Sequence, residues 1–129
     1  MDDLVQWLGE QLDEDERIAR AAGEAERADA WSILPNSYGG VLDGTGSRSI
    51  AVGYGDVMAP ATATHIAAHD PARVLREIDA KRDLLRFAEG IHDYHETFTR
   101  GVAARLGETL RLYALAYADR PGYREEWRP

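Results

Sequence analysis

The stretch Ala63–Arg82, ATHIAAHDPARVLREIDAKR, decides how the second half of the chain is built. Asp70-Pro71 is a start signal. An aspartate can cap a helix, and proline suits the first helical position, where its missing N–H has no partner to lose. Proline also drives the residue before it out of the α region, so a helix through residues 62–69 has to stop there. Beyond Pro71, the residues Val74, Ile78, Leu85 and Ala88 fall within about 40° of one line at 100° per residue. That stripe predicts an amphipathic helix over residues 71–89, with Gly90 as its stop. Glu77 with Lys81, and Asp79 with Arg82, have the spacing of helix-surface ion pairs.

Upstream the character differs. Trp31-Ser32-Ile33-Leu34, Val41-Leu42 and Ser49-Ile50-Ala51-Val52-Gly53-Tyr54 are short, apolar and bounded by turn residues. They predict three strands in an antiparallel meander over 30–57, which needs helices against one face. Gly40–Ser47, GVLDGTGS, invites a phosphate-loop reading. A P-loop, however, needs a Lys followed by Ser or Thr opening a helix, and here a strand follows with no Lys near. Glycines at hairpin turns account for it better. In the first 27 residues Leu4, Leu8 and Leu12 recur every four positions, predicting a helix with Asp2 or Asp3 in its first turn and Gly23 ending or weakening it. A further helix is expected around Leu110–Tyr117. The expectation is one α+β domain over 1–129: an acidic helix (1–27), the meander (30–57), a helical part (61–118) and an ordered C-terminal tail (119–129).

Composition narrows the chemistry. The chain has 129 residues and a formal charge of −8, with 44% hydrophobic and 29% charged residues. Residues 1–29 hold ten acids against three arginines, a balance of −7, which leaves −1 for the rest. No clustered cations suggest a nucleic-acid surface, so direct nucleic-acid binding is not expected. No run reaches the ~18 apolar residues of a membrane span, and the opening MDDLV is no signal peptide; a cytoplasmic protein is expected. The absence of cysteine removes thiolate metal sites and thiol nucleophiles.

His65 and His69 share the i, i+4 spacing of the zinc-protease helix, but Ile66 stands where that motif has its general base. His92 and His95, at i and i+3, are the remaining metal candidates. A straight helix from 71 to 89 is about 27 Å long and keeps the two histidine pairs apart. Serines 32, 37, 47 and 49 lie in no nucleophile elbow. At the end of the chain Tyr113, Tyr117, Tyr123 and Trp127 alternate with Arg120, Arg124 and Arg128. These residue types are enriched at binding hot spots, and Tyr117, Tyr123 and Trp127 either meet a partner or fold back and lock the tail onto the domain's own sheet.

With HIAAHDPARVLRE (65–77) and YADRPGYREEWRP (117–129) in view, the chain resembles a small actinobacterial, phage-associated family classed as a domain of unknown function. The resemblance implies no activity. It implies for relatives a zinc-knuckle-like set of His and Cys before the terminal block. The corresponding region here, GIHDYHETFTRGVAARLGET (90–109), has no Cys and leaves only His92 and His95. The sequence carries no enzyme signature. The leading expectation is a non-enzymatic protein-interaction module without cofactor. One alternative is a metal-binding protein or metal-dependent hydrolase using zinc at His92 and His95; another is an acidic binder of a basic or nucleic-acid-binding partner. The stripe on helix 71–89 exceeds what a short meander can cover, which points to a homodimer built on it.

Overall fold

The computed structural model describes residues 2–33, 39–53, 55, 57–92 and 99–129, with backbone only at 91, 92, 99 and 100. Helix α1 (Asp2–Glu26) leads into strands β1 (Trp31–Ile33), β2 (Val41–Asp43) and β3 (Ser49–Ala51). Helices α2 (Pro60–Ala68), α3 (Pro71–His92) and α4 (Thr99–Ala114) follow, and the tail holds single 3-10 turns at Leu115–Tyr117 and Glu125–Trp127. The fold is α+β: an N-terminal helix, a three-stranded antiparallel sheet, then helices that include a long one.

The chain divides into two compact units, one of Met1–Glu14 with Asp79–Pro129 and one of Asp15–Ile78. In the second unit the strands pair in the order β1-β2-β3. Trp31 lies opposite Asp43 and Ile33 opposite Val41, and an irregularity between Val41 and Leu42 shifts the register toward β3. Helix α2 packs against β1 and β2. Val41 and Ala63 are fully buried there, so α2 supplies the cover that a sheet this small requires. The GVLDGTGS stretch is the β2–β3 hairpin. The Asp43 carboxylate accepts hydrogen bonds from the Thr45 hydroxyl (2.8 Å) and the Ser47 N–H (2.9 Å), and Gly46 takes φ +73°.

The end of α1 departs from the sequence expectation. Gly23 does not stop the helix, which continues to Glu26. The Ala28 N–H then bonds the Gly23 carbonyl and the Arg27 N–H the Glu24 carbonyl, with Arg27 at φ +55°. These two bonds are a Schellman closure that places an arginine where glycine is usual. Gly23 serves another purpose: a Cβ there would collide with the Asp29 carboxylate, and the Pro71 ring lies just beyond.

In the first unit Leu4, Leu8 and Leu12 are buried, as their spacing predicts, together with Trp7, Leu85, Ala88, Leu106, Leu110 and Ala114. Leu8, Leu12, Leu85, Leu110 and Tyr117 line one small apolar hollow. Helix α3 runs through Gly90 to His92, past the expected stop at residue 90. Nothing lies within 4 Å of a Cβ at Gly90, so nothing there forces the chain to turn. Helix α4 begins at Thr99, well before the expected Leu110, and buries Leu106, Leu110 and Ala114 as an i, i+4 line. Ile78, Leu85 and Ala88, three of the four stripe residues on α3, are each at most 8% exposed within their own chain. Val74, the fourth, is half-buried.

Candidate functional site

The α2–α3 junction is built around Asp70. One carboxylate oxygen accepts the Arg73 N–H at 2.8 Å, capping α3, and the other accepts the Trp31 N–H at 3.0 Å. The Ala72 N–H reaches the Asp29 carbonyl at 2.9 Å. Proline at 71 thus fixes the turn, and the aspartate before it serves helix and strand together. Each of its oxygens accepts one backbone N–H.

His65 and His69 lie on the last turn of α2 and its cap, both exposed. Their ring centroids are 4.4 Å apart with planes tilted by 39°. The His69 Nδ1 lies 2.7 Å from the His65 carbonyl oxygen. Since a carbonyl only accepts, Nδ1 carries the proton. The Arg73 guanidinium beside them donates to the Ala68 carbonyl and pairs with Glu77. Of the other histidine pair, His95 and the side chain of His92 lie outside the described residues. Among the described residues no group of three or more metal-ligating side chains gathers.

Next to this junction is a groove of about 380 Å³ lined by Asp15, Ile18, Ala19, Ala22, Trp31, His69, Pro71 and Val74. Ile18 is 50% exposed on its wall. Sequence reasoning missed this feature. Its signal was present in Asp15, Ile18, Ala19 and Ala22, one face of α1 at i, i+3, i+4 and i+7, where small alanines leave a concavity.

The tail closes on the first helix within the first unit. The Trp7 indole N–H donates to the Pro121 carbonyl at 3.1 Å. The Trp7 ring packs against Trp127 at 5.2 Å and edge-on to Tyr123 at 5.8 Å. Gly122 takes φ +86°, and a Cβ there would sit 2.8 Å from the Trp7 indole nitrogen, so the turn requires glycine twice over. The Arg120 and Arg124 guanidinium groups lie 4.7 and 5.2 Å from the Tyr117 and Trp127 ring centroids. Tyr117 and Trp127 are buried and Tyr123 half-buried, and the tail folds back onto Trp7 of α1, not onto the sheet as the fold-back alternative had it. The Arg128 guanidinium hydrogen-bonds Glu125 and holds its carboxyl below the ordinary value, while Glu125 raises Arg128.

The acids of α1 are widely paired. Asp3 meets Arg124 at 2.9 Å, Asp13 meets Arg82 at 2.5 Å, Glu16 meets Arg20 at 2.7 Å and Glu26 meets Arg48 at 3.5 Å. No helix is long and apolar enough to cross a membrane among the described residues. No curated protein and no solved structure matches the sequence. A family model does match, over residues 1–129, and the chain belongs to that family, described as a family of unknown function (DUF6221).

Proposed function

We propose that the chain is a non-enzymatic protein-interaction module whose docking surface is the groove walled by Ile18, Trp31 and Val74. The observation that supports this reading is a concave, mainly apolar surface of about 380 Å³ with a half-exposed isoleucine on its wall. Apolar grooves bordered by a few polar groups are the usual form of a peptide-docking site. The occupant is a protein segment with an aliphatic or aromatic anchor. The net charge of −8 favours basic residues flanking that anchor and makes the association salt-dependent. The acidic face of α1 is a weaker surface by itself, because several of its carboxylates already hold arginines of the same chain. A homodimer through residues 71–89 would use the exposed Phe87 with the half-buried Val74, Leu75 and Leu84.

A photo-crosslinking residue at position 18, used in the native host, identifies the occupant. Titration of that purified partner then measures the groove. Ile18→Glu and Val74→Glu weaken binding about tenfold or more, a loss of at least ~1.4 kcal/mol, while Leu112→Glu leaves it unchanged. Equal affinity in all variants would sink the groove reading, and a partner captured equally well from position 112 would move the surface to α4.

A further inference from the structure

We infer that His65 and His69 form an exposed two-ligand site for a divalent transition-metal ion of the imidazole-preferring class, such as Zn²⁺ or Ni²⁺. The inference rests on the ring geometry and is independent of the groove reading above. Spacing alone gave two histidines on one helix face; the fold adds three facts that spacing does not contain. The rings have been brought to 4.4 Å, close enough for one nitrogen of each to converge on an ion at the ~2.0–2.1 Å of a His–Zn bond. The His69 Nδ1–H is committed to the His65 carbonyl, which fixes the tautomer and leaves Nε2 with its lone pair for a metal. A backbone carbonyl holding the far nitrogen is the usual outer support of a metal-bound imidazole. Both side chains are exposed, so the pair is open to an ion from solvent.

The electrostatics around the pair are mixed and on balance permissive. The pair sits at the C-terminal, carbonyl end of α2, which favours a cation. Asp70 adds a neighbouring negative charge, and each of its oxygens accepts one backbone N–H. Arg73 opposes the ion, but its charge is partly met by Glu77 at 2.8 Å. Two protein ligands leave the remaining coordination positions to water or to donors from another molecule.

Titration of the full chain with zinc chloride or nickel chloride tests this by calorimetry and by amide NMR. The expected result is one ion per chain, with Ni²⁺ broadening the amides of residues 64–70. Binding weakens on acidification, since protons compete for the imidazoles. His65→Gln and His69→Gln each lower affinity at least about tenfold, the loss typical even of an outer-shell partner. Zinc raises the thermal midpoint of the wild type and of the His92→Gln/His95→Gln double variant alike. Binding unchanged by either junction variant, binding abolished by the 92/95 variant, or no binding at millimolar metal would each overturn the assignment. His65→Gln leaves the groove lining intact, so failure here and failure of the docking surface are separable.

Discussion

At the scale of single residues, Asp70 has the clearest measurable role. It caps α3 and holds the first N–H of β1, so Asp70→Ala loses both bonds and lowers stability by about 1–2 kcal/mol, whereas Asp70→Asn retains most of the cap. Chemical denaturation of the two variants distinguishes them. Asp43 makes a pH prediction. The Thr45 hydroxyl first, then the Ser47 N–H, hold its carboxyl below the ordinary aspartate value. A carboxyl with a lowered folded pKa stabilises the fold above its unfolded value, and that contribution disappears as pH falls through the folded one. Denaturation midpoints of the wild type should therefore fall more steeply with acid than those of Asp43→Asn, and parallel curves would show that the turn does not depend on the charge. Asp70-Pro71 was legible in sequence because both residues act on the backbone beside them. The second oxygen of Asp70 was not legible, because Trp31 is 39 positions away and reaches it only through the fold.

At the scale of elements, the helices were read correctly where a period was uninterrupted and misread where a glycine was taken as punctuation. Gly23 and Gly90 both lie inside helices, for different reasons: one makes room for Asp29, the other has open space around it. Gly90→Ala, and likewise Gly9→Ala in α1, should raise stability by roughly 0.5–1 kcal/mol each, since the methyl meets nothing and unfolded-state freedom is lost. A thermal midpoint lowered by either change would mean the glycine has a packing role that the open space does not show. At the true end of α1 the strain lies on Arg27. Arg27→Gly should stabilise by about 1 kcal/mol by removing a Cβ from a left-handed residue. The strands were found because turn residues enclose them, and their partner helix α2 was expected from the need to cover a small sheet. The groove escaped notice because concavity belongs to the packing of α1 beside the α2–α3 junction and not to any one segment.

At the scale of the molecule, the three tryptophans report separately: Trp7 and Trp127 lie in one unit and Trp31 in the other. Trp127→Ala should cost about 3–5 kcal/mol, the usual loss for a large buried aromatic, and shift the emission of Trp7. An unshifted Trp7 spectrum would show that the tail does not cover it. The tail was half-legible in sequence. Its aromatic and arginine alternation was plain, but whether it faced inward depended on Trp7, more than a hundred positions earlier. That separation bears on synthesis. One unit is a continuous run, residues 15–78, while the other joins the first fourteen residues to the last fifty-one. On the ribosome the continuous unit can form while the chain is still growing, but Leu8 must wait for Leu85, Leu110 and Tyr117, and Trp7 until Tyr123 and Trp127 emerge. A chain stalled or cut before residue 117 therefore carries one finished half and one open, sticky half, which is the kind of intermediate that chaperones and proteases recognise.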